Sequence, residues 1–374
     1  MGNPTIEGVR EAMRALARQV DVLPAVGGAL QEEERPDADE RVEQILGRDE
    51  KLFEANWETD ANRLYRPLQP IPRTEQHLYR YFQDGSYRSY FLGNLLEHDR
   101  ETPVLFAQIG ACQMCRRGDD GSVKPARIEV KPFLFLALDR VSEPVRNTLL
   151  QTTQANGIEV VDLEEEDELT QRNPADLRLL AQNKVRYKMH EIEVGLVQAW
   201  LDAHEGEAWL MVDGSLMFTN LLNRFESNSE IPHVVGVAKN FRKNPQFAVG
   251  RGARQERYSL HRLLAGLETW HRTTVFGARE GTVLFWYIRL RPQGQMDYPL
   301  MGVIKVELIN PSKRKVDSGL IDKLSRALIA ERNATPHGVD RRWHAHLYPI
   351  FLTERYVQNQ FLSREVIQQA LRWR

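Results

Sequence analysis

The 374-residue chain contains only two cysteines, too few for a disulfide framework, which predicts a reducing, cytoplasmic setting. It has no uninterrupted apolar run of about 18 residues, so no membrane-spanning helix is predicted. The N-terminal stretch MGNPTIEGVREAMRALARQV lacks an apolar core of the secretory type. Ile6 stands where a myristoylation signal carries Ser or Thr. Charge of one sign is also missing. A formal net charge of −2 excludes a protein coated in positive charge, although a local basic patch can still engage phosphates. Cys112 and Cys115 form a CxxC with no second pair. The pair reads either as small core thiols at a strand end or as part of a tetrahedral zinc site or a redox pair.

What is present is an ordinary share of apolar residues (42%) and charges (27%), enough to build a sizeable core. Residues 1–76 read as a polar, helical arm: IEGVREAMRALARQVDVL has helical spacing, VGGALQEEERPDADE breaks it, and ERVEQILGRDEKLFEANW resumes it. From residue 77 to 374 the texture changes. HLYRYFQDGSYRSYFLG, TPVLFAQIGACQMC, RIEVKPFLFLAL and GIEVVDL read as strands. A long helix, DLRLLAQNKVRYKMHEIEVGLVQAWLDA, follows an acidic run. AWLMVDGSLMF and HVVGVAKNF then read as strands, LHRLLAGLETWHR as a helix, TVLFWYIRLRP and MGVIKVELI as strands, GLIDKLSRALIAER as a helix, and the segment after Arg341 as a turn plus helix. Strands first, then strands alternating with helices, predict an α/β fold with a mixed sheet flanked by helices.

Asp-Gly-Ser occurs three times. In RRGDDGSVKP it sits among charged residues and reads as a hairpin turn. Asp213, in WLMVDGSLMF, interrupts an apolar strand, where an ionised carboxylate is costly unless it is paired or binds a metal. Asp84, in YRYFQDGSYRSYFLG, fits a hairpin turn and a functional acid equally well. A third carboxylate follows from helix geometry: Met189, Leu196, Val197 and Trp200 lie at i−4, i+3, i+4 and i+7 from Glu193. This places Glu193 in the apolar stripe that packs on the sheet, as a site residue or as the partner of a buried arginine. Asp84, Glu193 and Asp213 together would form a hard oxygen-ligand cluster suited to Mg²⁺ or Mn²⁺. Such a cluster supports phosphodiester cleavage with paired cations. The segment from Lys239 to Arg262 carries Lys239, Arg242, Lys243, Arg251, Arg254, Arg257 and Arg262 against the single acid Glu256. It reads as a mobile basic loop suited to phosphates, or else as an ordinary solvated loop.

These residues, in this order, resemble the NurA nucleases. The elements are a DGS on an early strand (Asp84), a helical glutamate in HEIEVGL (Glu193), a DGSL ending an apolar strand (Asp213), a VVGVAK strand with Lys239, and a YPxxL beginning at Tyr348. The resemblance runs from about residue 77 to about 360. It implies an RNase H-like fold and a DNA nuclease using two Mn²⁺ (or Mg²⁺) ions held by Asp84, Glu193 and Asp213. It also implies that Lys239 lies near the scissile phosphate, that Tyr348 belongs to the site, and that the chain forms a homodimer working with a hexameric HerA-type ATPase in DNA repair or phage defence. One departure is Tyr356, which stands where the family has histidine; His344 and His346 in WHAHLYP are the candidate substitutes in space. Two other readings stay open. One is a non-catalytic nucleic-acid-binding or assembly subunit. The other is an Argonaute-type enzyme, for which the chain is short.

Overall fold

The computed structural model describes residues 4–25, 29–32, 52–61, 63–72, 75, 77–117, 122–164, 177–203, 206–226, 229–241, 245–250, 255–292, 300–333 and 345–371. The protein is α/β, with one large mixed sheet flanked by helices. Among the described residues no helix is long and apolar enough to cross a membrane.

Residues 1–76 depart from the expected helical arm. The first helix, Pro4–Leu16, forms as its spacing predicts, and it buries Val9, Met13 and Leu16. The described residues beyond it are extended: β1 (Asp21–Pro24), β2 (Leu30–Gln31), β3 (Leu52–Glu54) and β4 (Tyr65–Pro67). These strands are too short to be stable alone and borrow partners from the main body. β1 and β2 pair antiparallel with β5 (Tyr79–Glu97). The region is thus woven into the sheet and does not stand beside it.

β5, β6 (Arg100–Arg117) and β7 (Ser122–Leu136) form a long antiparallel meander. Asp84-Gly85-Ser86 lies in mid-strand, paired with Cys112, Ala111 and Gly110, which excludes the hairpin reading. Arg117 pairs with Ser122, the last residue of the Asp-Gly-Ser in RRGDDGSVKP; residues 118–121 lie outside the described residues. β8 (Glu159–Asp162) adds parallel to β7, after a helix, Glu143–Ala155, that the sequence reading did not include. The long helix Leu177–Ala203 then crosses the meander and delivers the chain to β9 (Trp209–Asp213), which pairs parallel with β5. β10 (Val234–Ala238) pairs parallel with β9.

β11 (Gln246–Val249) and β12 (Glu256–Ser259) pair with each other, and β11 also pairs with β3, in a separate three-stranded sheet. A third of the expected basic loop, the four residues of β11 and the four of β12, is therefore strand. The helix Leu260–Ala265 stops sooner than its pattern predicts. The buried guanidinium of Arg289 donates to the carbonyls of Leu264 (2.9 Å) and Leu267 (2.6 Å). It satisfies carbonyls that an ending helix exposes, and the chain turns into β13 (His271–Thr273). β14 (Phe276–Ala278), β15 (Val283–Arg289) and β16 (Val303–Ile309) complete the set. β15 and β16 are buried at every position, as their unbroken apolar patterns require. The helices Ser318–Ala330, Tyr348–Gln358 and Arg364–Ala370 close the chain.

Candidate metal centre

Strand alternation assigns each residue around Asp84 to a face. Gln83 points toward the Leu177–Ala203 helix, where its amide donates to the Glu193 carbonyl (2.8 Å). Tyr87 points the same way, its hydroxyl accepting from Arg186 (3.0 Å). Asp84, Ser86 and Arg88 therefore point to the other face, where the Tyr348–Gln358 helix packs. Ser86 and Arg88 meet Gln358 and the Leu362 carbonyl there. In the parallel pair, Gln83 is opposite Val212, so Asp213 follows Asp84 in register and shares its face. Asp213 in turn is opposite Val237, and Lys239, two residues on, reaches the same side.

Asp84, Asp213, Lys239, His346 and Glu354 thus gather on one face. One ligand atom each from Asp84, His346 and Glu354 lies within 4.8 Å of the others. Asp84 is 6% exposed, and its Oδ2 has no hydrogen-bond partner among the described residues. Burial drives its carboxyl well above the usual range. The charges of Asp213, Glu354 and, least, Glu193 push the same way, and Lys239 opposes them. Asp213 has found a countercharge, with Lys239 Nζ at 2.7 Å from its Oδ2. Glu354 Oε1 accepts from Gln358 (3.1 Å), and its Oε2 lies 3.6 Å from His346 Nε2.

Glu193 approaches from the opposite face. It is buried, as the stripe predicts, but its partner is His190, whose Nδ1 lies 2.7 Å from Oε2, and not an arginine. The gap it uses is Gly85, where a Cβ would lie 2.6 Å from Glu193 Oε1. In Asp-Gly-Ser the aspartate serves one face and the glycine admits a carboxylate on the other. At Asp213-Gly214-Ser215, Gly214 follows the last residue of β9 and takes φ +100°, which favours glycine. Ser215 Oγ donates to Glu307 Oε2 and so does the Leu216 N–H, each at 2.8 Å. Glu307 is fully buried beside Lys305, Nζ to Oε1 2.6 Å. This pair fixes the turn that presents Asp213.

The expected set is therefore redistributed. Asp84, Asp213, Lys239 and His346 share the face; Glu193 sits behind the strand, closest to Gly85. Lys239 is bound to Asp213, and its placement beside a phosphate is carried by the resemblance alone. Tyr348 starts its helix beneath the Arg332 guanidinium (4.8 Å to the ring centroid). Tyr356 packs against the apolar group of Cys112, Met114, Val357 and Phe361. Arg242, Lys243, Arg251, Arg254 and His344 lie outside the described residues, and Arg257 is exposed on β12. Cys112 and Cys115 are free thiols, three residues apart on one strand, so they point to opposite faces. Cys112 is pushed up to about 12 by burial and by Asp84. The core-thiol reading fits, and a shared zinc does not.

Glu354 and Glu307 are absent from the sequence reading. Glu307 follows the rule that singled out Asp213, an acid inside an apolar strand. Glu354 carries no such signal, since TERYVQ resembles any solvated helix. No protein-family model matches the chain, and no curated protein is significantly similar to it.

Proposed function

We propose that the chain is a divalent-metal-dependent nuclease that hydrolyses phosphodiester bonds in DNA. The observation that carries this reading is the buried carboxylate of Asp84, which has one oxygen without a hydrogen-bond partner and is ringed by Asp213, Glu354 and Glu193. Such a group destabilises a fold unless something compensates its charge. A divalent cation fits: the donors are hard oxygens plus one imidazole nitrogen, and the site is over-supplied with negative charge. Asp84 would be the central ligand. When bound, a cation there neutralises charge on a phosphodiester and acidifies water.

The chain's own groups have separate tasks. Lys239 holds Asp213 in place through their ion pair. Glu307 holds the Ser215 turn. Gln358 orients Glu354 from the adjacent turn of its helix. Exposed Arg257 and Arg262, with the other cations of 239–262, supply phosphate contacts of the sequence-independent kind. The three-stranded meander followed by two parallel strands, with a helix crossing between them, is consistent with an RNase H-like fold. By the same reading the chain acts as a homodimer with a HerA-type ATPase in DNA end processing or phage defence.

The alternative is a non-catalytic DNA-binding subunit, favoured by the apolar packing of Tyr356. Asp84 argues against it, because DNA binding has no use for a buried, repelled carboxylate. The test is cleavage of linear single- and double-stranded DNA in Mn²⁺, Mg²⁺ or EDTA, with Asp213→Ala as control. Cleavage in Mn²⁺ that EDTA and the substitution abolish supports the nuclease. Binding without cleavage, with or without the ATPase, selects the subunit.

A further inference from the structure

Asp84 has two groups of neighbours, and the sheet separates them. Behind the strand is Glu193, held by His190. In front are Asp213, held by Lys239, and the pair His346 and Glu354. We propose that Asp84, His346 and Glu354 form one metal-binding site, its ligands drawn from β5, from a residue just before the Tyr348–Gln358 helix and from one within it. The proposal rests on the reading of the Asp84 cluster as a metal centre, and names ligands that the motif order does not.

Three observations support it. The ligand atoms lie within 4.8 Å of one another. First-row cations bond such ligands at about 2.1 Å, so an opposed pair stands about 4.2 Å apart and adjacent pairs about 3.0 Å, and closing the group needs a pair to draw in by up to roughly 1.8 Å, within the reach of side-chain rotation. Asp84 Oδ2 is buried with no hydrogen-bond partner among the described residues, on a side chain that supplies a ligand atom to the group. Gln358 bridges Glu354 (3.1 Å) and Ser86 (3.4 Å), tying the glutamate to the strand that carries Asp84, as an outer partner of a ligand does. Helical periodicity explains why the tyrosine is excluded. Residues 354 and 358 lie one turn apart on one face, and Tyr356 lies between them on another, packed against the apolar cluster that contains Cys112 and Phe361.

The ligand set has a chemical consequence. Two carboxylates alone suit Mg²⁺ and Mn²⁺ alike; an imidazole nitrogen shifts preference toward Mn²⁺ and later first-row ions. The probe is Mn²⁺ itself, titrated calorimetrically into the full-length, chelator-stripped protein, with Mg²⁺ titrated in parallel. Glu354→Gln and His346→Asn are each expected to weaken Mn²⁺ by about tenfold or more. His346→Asp, which keeps three ligands but exchanges nitrogen for oxygen, is expected to narrow the gap between Mn²⁺ and Mg²⁺. Thermal unfolding in EDTA establishes that each variant is folded. The assignment is overturned if Glu354→Gln and His346→Asn bind as wild type while Asp84→Asn does not; the metal reading then survives with other ligands. Absence of binding to the folded wild-type protein overturns both. Metal binding without DNA cleavage leaves the assignment standing and removes the nuclease.

Discussion

Asp84 shows what one side chain can be asked to do. A carboxylate buried against three like charges is a burden on the metal-free fold, and strain of this kind collects where function requires it. Asp84→Asn keeps the shape and removes the charge, so the metal-free protein should gain roughly 1–3 kcal/mol, read by urea unfolding in EDTA; a loss of stability would mean that the carboxylate is compensated by groups other than a metal. Gly85 is the converse case. Gly85→Ala places a methyl 2.6 Å from Glu193 Oε1, and that carboxylate, the far end of a flexible chain, must leave His190. A destabilisation of about 1–3 kcal/mol is expected, and Glu193→Ala in the same background should recover part of it. These two residues also mark what the sequence makes legible. An acid in an apolar strand or stripe is conspicuous, so Asp213 and Glu193 stand out. His346 and Glu354 have unremarkable neighbours along the chain, and only the packing of the Tyr348–Gln358 helix on β5 brings them to Asp84.

Among the elements, the strands from β5 to β10 and the Leu177–Ala203 helix follow their patterns closely, because one residue in two or in 3.6 must meet the core. The N-terminal region misleads for a physical reason. β1 to β4 are two to four residues long, and strands so short carry no period; their partners lie far along the chain. Such joins are secured by buried polar groups. Glu58 is fully buried, its carboxylate bidentate to Arg272 (3.0 and 2.7 Å), with Asp322 accepting from the same guanidinium (2.7 Å). Removing one partner leaves an uncompensated charge, so Glu58→Ala should cost about 3–5 kcal/mol in chemical denaturation. A change under 1 kcal/mol, on the scale of exposed ion pairs, would contradict this anchoring.

At the scale of the molecule, stability should carry a signature of pH. His77 lies 3.3 Å from Glu331, a neighbour that ordinarily favours the charged ring. Glu331 is already bidentate to Arg116 (3.0 and 2.8 Å). Burial and then the Arg116 cation lower His77 to about 4. The folded pKa lies below the unfolded value of about 6.5, so the unfolded chain binds the proton more tightly. The contribution of His77 is therefore full above about pH 6.5 and is lost as pH drops toward 4. His77→Gln should flatten that slope in thermal unfolding at low ionic strength, and an unchanged slope would assign it to other groups. The central claim is that the Asp84 face cleaves DNA with a divalent ion. It is tested most directly by single-turnover cleavage of end-labelled DNA in Mn²⁺, wild type against Asp84→Asn, both verified as folded. The account predicts cleavage by the wild type, abolished by EDTA, and a loss of about a hundredfold or more in the variant. Cleavage by Asp84→Asn at the wild-type rate, or a wild-type rate indifferent to EDTA, would contradict it.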